Sequence, residues 1–115
     1  MTLIECPRDA MQGWEHFIPT ADKAAYLNAL LKVGFDVLDF GSFVSAKAIP
    51  QLADTKDVIP MLDLSNTRTK LLAIIANTRG AEEAVLYDEI HYLSTYLVNT
   101  HTPYLHNPSI RRGER

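Results

Sequence analysis

Three strand-like runs recur at nearly equal spacing along this chain and limit how it can fold. Short apolar runs begin near residues 3, 36 and 71, so that successive starts are 33 and 35 residues apart. An interval of that length accommodates a strand, a crossover helix and two loops. Because such crossovers are right-handed, they set the strands side by side and parallel in one sheet. The 115 residues are therefore predicted to form a single α/β domain.

Polar residues follow or interrupt each of these runs. The first run stops at Pro7, which has no amide hydrogen for a sheet ladder, and Arg8 and Asp9 come next. The second run carries Asp39 among apolar neighbours, and the third run ends at Asn77. Parallel strands bring such residues to one edge of the sheet, where α/β proteins build their sites. We therefore expect a functional site at that edge.

The segments between the runs predict the remaining elements. Thr20 is a good N-cap, and an apolar stripe follows it until Gly34. In chain order we predict a loop over residues 7–19, a helix over 20–34, a strand and turn over 35–45, one short helix between Pro50 and Pro60, a loop over 63–69, a helix over 79–87, a fourth strand over 89–93 and an irregular surface tail from residue 94.

Charge and cysteine content exclude several classes of protein. The net charge is -3 with both signs interspersed, which gives no electrostatic footprint for nucleic acid. The single cysteine, Cys6, excludes an internal disulfide. No stretch reaches the length of a membrane span or resembles a signal peptide. We expect a cytoplasmic protein without a nucleic-acid or membrane partner.

Asp39 is the most informative single residue. A carboxylate between Leu38 and Phe40 on a buried strand must find a cation or hydrogen-bond donors to stay ionised. Arg8, at the end of the neighbouring strand, is within reach. The pair could form part of an active site, or it could be a structural ion pair that fixes the order of the strands. Arg8 and Asp9 could also lie in a solvated turn.

Other ligating or nucleophilic residues give weaker signals. Asp9 could be an oxygen ligand for Mg²⁺ or Mn²⁺, but one carboxylate does not make a metal site. The spacing of His101 and His106 has no regular geometry, which favours solvated histidines over metal ligands. His91 is expected to pack against a face of the sheet. Cys6 is predicted to be a small buried residue within the first strand.

The combination of these motifs resembles a known family. The residues Cys6 to Gln12, Asp39 to Lys47, Pro50, Gln51 and Asp54 form the pattern. With them the chain resembles the N-terminal part of hydroxymethylglutaryl-CoA lyases. These enzymes belong to a superfamily of TIM-barrel metallolyases. The likeness extends from residue 3 to about residue 93. It implies a partial (β/α)8 barrel of three to four parallel units over residues 1–93, with a tail over 94–115 that is unlike the family.

The resemblance also implies a reaction and a set of roles. The reaction is the metal-dependent cleavage of 3-hydroxy-3-methylglutaryl-CoA, an acyl-CoA substrate, to acetyl-CoA and acetoacetate, with Mg²⁺ or Mn²⁺ as cofactor. By analogy, Arg8 and Asp39 would be catalytic and Asp9 would be a metal ligand. Gln12 and Ser42 would line the substrate pocket. Asp39 stands where the family has a glutamate, which is one methylene longer.

Other family features are missing from this sequence. It has neither the family's His-x-His pair nor a cysteine in a glycine-rich loop. A TIM barrel needs on the order of 250 residues. One hypothesis is that the chain acts in catalysis only when further strands complete the barrel, so that it is inactive alone. The alternative is a truncated or frame-disrupted remnant that only self-associates through an open sheet edge.

Overall fold

The computed structural model describes residues 2–95 and the backbone of residues 105–106, and within them one sheet organises the fold. Its strands are β1 (Ile4–Glu5), β2 (Val37–Ser42), β3 (Lys70–Ile75), β4 (Ile90–Thr95) and β5 (Leu105–His106). They lie in the order β1-β2-β3-β4-β5, with the first four parallel and β5 antiparallel to β4. The predicted parallel arrangement is confirmed.

Helices connect the parallel strands. They are α1 (Pro7–Gln12), α2 (Thr20–Leu31), α3 (Thr55–Val58) and α4 (Thr78–Ala84), with 3₁₀ turns at Pro50–Leu52 and Ile59–Met61. Gly34, with φ of 92°, ends the turn after α2 in a conformation that side chains disfavour. Among the described residues, no helix has the length and apolarity that crossing a bilayer requires.

The prediction of a loop over residues 7–19 is wrong in its first half. Residues Pro7–Gln12 form α1, because proline is suited to the first helical position, where no amide donor is needed. The N-cap of α2 is Pro19, and Thr20 is the first helical residue. The Thr20 hydroxyl donates to Asp54 Oδ2 at 2.6 Å instead of capping the helix.

Two other predicted segments differ from the structure. Between Pro50 and Pro60 the chain makes a 3₁₀ turn, α3 and a second 3₁₀ turn, because each proline occupies the start of a new turn. Strand β4 continues to Thr95, two residues beyond the end of the predicted fourth strand. The segment Leu105–His106 then adds β5 to the sheet. The other predicted tail residues, including His101, lie outside the described residues.

Each face of the sheet has its own apolar cluster. We call the face that packs against α2, α3 and α4 the outer face; its sheet residues are Leu38, Phe40, Leu71, Ala73, Ile75, Ile90 and Leu93. We call the opposite face the inner face; its cluster is Val37, Leu72 and Ile74 with Met11, Ile49 and Leu52. Asp39 pairs with Leu72, and a register shift between Asp39 and Gly41 then pairs Ser42 with Ile74. Asp39 and Ser42 therefore share the inner face.

Candidate functional site

An arginine and a buried carboxylate meet where β1 and β2 lie side by side. Because α1 starts directly after β1, Arg8 lies beside Asp39 of β2. Arg8 Nε is 3.2 Å from both carboxylate oxygens of Asp39, and Nη2 is 2.8 Å from Oδ2. The Asp39 side chain is only 6% exposed and that of Arg8 14%. The predicted contact between these two residues is confirmed.

The pKa values of the pair reflect burial and mutual attraction. Burial raises the pKa of Asp39, and the hydrogen bond and positive charge of Arg8 counter only part of this effect. Burial would by itself lower the pKa of Arg8, but the hydrogen bond and charge of Asp39 outweigh it and raise that pKa. The guanidinium therefore stays cationic, while the carboxyl holds a proton more readily than an exposed aspartate does.

Arg8 keeps donors available after these bonds are made. Its Nη1 donates to Gln12 Oε1 at 2.9 Å, one helical turn along α1, and lies 3.8 Å from Asp9 Oδ1. The guanidinium has five N–H groups. Nε, Nη1 and Nη2 each use one, so that two N–H groups have no hydrogen-bond partner among the described residues. The site can therefore donate to an anionic or carbonyl oxygen.

Asp9 is suited to binding a cation but has few partners for that role. Its side chain is 78% exposed, and a carboxylate oxygen is a ligand that Mg²⁺ and Mn²⁺ favour. Within residues 2–95, however, no three histidine, cysteine, aspartate or glutamate side chains lie together as a metal site requires. These residues do not form a divalent-metal site by themselves. The metal and the ligand role of Asp9 stay predictions.

Ser42 lies at the carboxyl end of β2, apart from the arginine cluster. Its hydroxyl accepts from the Val44 amide at 2.9 Å, and its own amide donates to Thr55 Oγ1 at 3.0 Å. It also lines a cavity of about 300 Å³ at this edge of the sheet. The structure thus brings Arg8, Asp39, Asp9 and Gln12 together and places Ser42 farther along the inner face.

Cys6 differs from its predicted position. Because β1 ends at Glu5, Cys6 is exposed and lies outside the strand, directly before α1. Its Sγ donates to Asp39 Oδ2 at 3.6 Å. Partial burial of the sulfur, and then the negative charge of Asp39, raise the pKa of Cys6 to about 11. The prediction of a small buried residue is therefore wrong.

Lys23 is a buried cation on α2 that the sequence patterns did not predict. Lys23, 2% exposed, lies with its Nζ 2.6 Å from Asp54 Oδ1 and also donates to the Gln51 carbonyl. The same ammonium group lies 4.1 Å from the centre of the Phe17 ring. A sequence signal existed, because Lys23 stands one turn before Leu27 on the buried stripe of α2.

Gln51 extends this network to the segment that follows α1. Its Oε1 accepts from the Ile18 amide at 2.7 Å. Its Nε2 donates to the carbonyls of His16 at 2.8 Å and Trp14 at 3.2 Å. The segment 14–18 therefore takes a fixed course beside Gln12, although it contains no helix or strand.

No family model matches the chain, but curated relatives do. Over 81 residues it is 38% identical to the mitochondrial hydroxymethylglutaryl-CoA lyase of Arabidopsis thaliana, a match that covers 69% of this chain and 17% of the relative. Over 79 residues it is 37% identical to hydroxymethylglutaryl-CoA lyase YngG of Bacillus subtilis, covering 69% of this chain and 26% of the relative. The chain thus spans about a quarter or less of these relatives.

Solved structures extend the similarity to the fold. An HMG-CoA lyase of Bacillus subtilis matches with a TM-score of 0.72 at 32% identity, covering 80% of this chain and 31% of that one. An HMG-CoA lyase of Acinetobacter baumannii, in complex with coenzyme A and 3-methylmalate, matches with a TM-score of 0.69 at 35% identity, covering 74% and 28%. The open parallel sheet thus fits part of a TIM barrel, as predicted.

Proposed function

We propose that this chain, which shares sequence and fold with part of a hydroxymethylglutaryl-CoA lyase, supplies the arginine and carboxylate components of such an active site. The reaction is the cleavage of 3-hydroxy-3-methylglutaryl-CoA to acetyl-CoA and acetoacetate. The observation that carries the proposal is the geometry of Arg8. Hydrogen bonds from Nε and Nη2 to Asp39 and from Nη1 to Gln12 orient the guanidinium and leave donors for a substrate.

Arg8 meets the main electrostatic demand of this reaction. As the carbon-carbon bond breaks, the hydroxyl group loses its proton to a base and its oxygen becomes the ketone of acetoacetate, while the electron pair stays on the acetyl-CoA fragment as an enolate. The enolate then takes up one proton to give acetyl-CoA. A fixed cationic donor aimed at the developing oxyanion lowers the barrier, because the donor needs no reorganisation. The two remaining N–H groups of Arg8 would bind the thioester oxygen in this way.

Asp39, Gln12 and Ser42 have supporting roles in the proposal. Asp39 orients Arg8, and its raised pKa suits a carboxyl that exchanges a proton during the reaction. Gln12 fixes Nη1 of Arg8, and Ser42 would line the substrate pocket from the carboxyl end of β2. Asp9 would contribute one carboxylate to a Mg²⁺ or Mn²⁺ site whose remaining ligands come from outside the described residues.

A chimera tests this proposal. The segment of the Bacillus subtilis lyase that aligns with this chain would be replaced by the matching residues of this chain, and acetoacetate would be measured with Mg²⁺ or Mn²⁺. We expect turnover, and Arg8→Gln in the chimera should lower kcat by about 100-fold or more. Arg68→Gln, an exposed control, should leave kcat unchanged. A chimera with native circular dichroism but no turnover would contradict the proposal.

A second candidate concerns the purified 115-residue chain, which would be catalytically inactive and self-associating. Two observations favour it. Residues 2–95 hold no group of three metal-ligating side chains, and the β1 edge exposes Leu3 and Ile4 to 51% and 49%. We expect no acetoacetate from this chain and an apparent mass that rises with concentration. Turnover that Arg8→Gln abolishes would exclude this second candidate.

A further inference from the structure

The proposed reaction makes no use of Lys23, although this cation is buried. Lysine is among the residues that are least often buried, because its ammonium group loses hydration. Here Asp54 Oδ1 at 2.6 Å, the Gln51 carbonyl oxygen and the ring of Phe17 replace the water. Since apolar side chains in place of a buried ion pair often give equal stability, the role of Lys23 lies in the groups that it fixes.

The polar partners of Lys23 belong to one short segment, residues 49–54, which we call turn 49–54. Lys23 donates to two positions of this turn, the Gln51 carbonyl and the Asp54 carboxylate. Thr20, one helical turn earlier on α2, donates its hydroxyl to the other oxygen of Asp54, Oδ2, at 2.6 Å. Two side chains of α2 therefore fix the position of turn 49–54.

Turn 49–54 in turn holds the segment that follows α1. Gln51 Oε1 accepts from the Ile18 amide at 2.7 Å, and Gln51 Nε2 donates to the carbonyls of His16 at 2.8 Å and Trp14 at 3.2 Å. The backbone of Gln51 is bound by Lys23, and its side chain binds segment 14–18. A shift of this one residue would therefore shift the segment.

The end of α1 is fixed by the same turn in two ways. Met11, on α1, packs in the inner-face cluster with Ile49 and Leu52, the residues on either side of Pro50 and Gln51. The Trp14 amide donates to the Met11 carbonyl at 3.1 Å, which joins segment 14–18 to the last turn of α1. Both the side chain and the carbonyl of Met11 thus depend on turn 49–54.

Gln12 carries this connection to Arg8. It follows Met11 on α1, and its Oε1 accepts from Arg8 Nη1 at 2.9 Å. Gln12 and Gln51 also line one cavity of about 290 Å³. A continuous series of contacts therefore leads from Lys23 through turn 49–54 and the end of α1 to the guanidinium of Arg8.

We propose that Lys23 is a positioning residue, which fixes turn 49–54 and through it the end of α1 and the direction of the Arg8 guanidinium. The inference rests on the proposed function, in which Arg8 donates to the developing oxyanion. A displacement of about 1 Å at a reacting group can cost on the order of 100-fold in rate. Loss of the Lys23 ammonium group should therefore lower kcat, although Lys23 does not contact Arg8.

Two variants of the chimera separate position from stability. Lys23→Met removes the ammonium group but leaves the Asp54 carboxylate without its counterion. Lys23→Met, Asp54→Asn removes both charges, so it should recover stability, but the Gln51 carbonyl still lacks its ammonium donor. At a temperature where circular dichroism shows each protein folded, we expect both variants to lower kcat by about 10-fold.

The matched control is Leu31→Ala, which removes a buried side chain of the same helix from the outer-face cluster. It should destabilise the protein and leave kcat within about 2-fold of the parent chimera, because Leu31 takes no part in the contacts of turn 49–54 described above. A kcat that recovers together with stability in the double variant, or an equal loss of kcat in Leu31→Ala, would overturn the inference.

Hydrogen exchange in the 115-residue chain tests the same inference without catalysis. The Ile18 and Trp14 amides should exchange about 10-fold faster in Lys23→Met, Asp54→Asn, as expected for the loss of one hydrogen bond, and at the parent rate in Leu31→Ala. Unchanged rates in the double variant would overturn the inference. A parent chimera without turnover would instead overturn the proposed function, and the exchange rates would still decide whether Lys23 fixes the segment.

Discussion

At the scale of single residues, local chemistry predicted partners only where the sequence left few alternatives. A carboxylate between apolar residues needs a cation, and Arg8 follows the adjacent strand, so the contact with Asp39 could be predicted. Lys23 also lies buried, but its carboxylate partner, Asp54, belongs to a segment without a clear pattern, so that no sequence signal pairs the two. Cys6 was misplaced because β1 is shorter than its apolar run.

The Arg8–Asp39 pair makes a prediction about stability. Arg8→Gln removes the cation and leaves a buried carboxyl without its counterion, so we expect the free energy of unfolding to fall by about 3 kcal/mol at pH 7. Urea unfolding measures this change. Adding Asp39→Asn should recover part of the loss, because no buried charge then remains unpaired. Equal stability of Arg8→Gln and the wild type would contradict a buried ion pair.

Cys6 gives a prediction about pH. Its pKa of about 11 means that the exposed thiol stays protonated at pH 8. Alkylation by iodoacetamide at pH 8 should be about 10-fold slower than for an unstructured cysteine peptide, since a lower thiolate fraction outweighs the greater nucleophilicity of a basic thiol.

The alkylation rate of Cys6 should keep rising with pH until about 11. Because the folded-state pKa is raised, the contribution of this thiol to stability is fully present below pH 9 and is lost toward pH 11. Asp39→Asn removes a negative charge beside the sulfur and should move the midpoint of the rate profile down. A midpoint in the wild type that matches the cysteine peptide would contradict the raised pKa.

At the scale of elements, the longer strands and α2 could be predicted, whereas the short helices could not. Helix α2 has twelve residues and a buried stripe, which is enough for a clear period. Helix α1 has six residues, too few for a period, and Pro7 reads equally as the end of a strand or the start of a helix. The course of residues 14–18 depends on Gln51, a distant residue that no local pattern reveals.

The contact between Gln51 and segment 14–18 can be tested by hydrogen exchange. Gln51→Ala removes the acceptor of the Ile18 amide, so we expect that amide to exchange about 10-fold faster, equivalent to the loss of one hydrogen bond. The Leu27 amide, within α2, serves as an internal control and should be unaffected. Nuclear magnetic resonance measures both rates. An unchanged Ile18 rate would show that other contacts hold this segment.

At the scale of the whole molecule, strand spacing predicted the parallel order, but it could not predict how the sheet ends. Repeated units of 33 and 35 residues determine which strands are neighbours. The edge beyond β4 depends instead on a pairing with β5, which has two residues and no strand pattern. Among the described residues, β5 therefore covers one edge of the sheet, while no strand pairs with the free side of β1 at the other edge.

Strand β5 pairs with β4 and so occupies the edge at which another molecule could add a strand, which gives the last prediction. Register pairs Leu105 with Ser94, and proline at position 105 has no amide hydrogen for a sheet ladder. Leu105→Pro should therefore uncover the edge, and sedimentation velocity should detect larger species at lower concentration than for the wild type. Leu105→Val, which suits a strand, is the matched control and should sediment as the wild type does. Identical sedimentation of all three proteins would mean that the open β1 edge alone governs association.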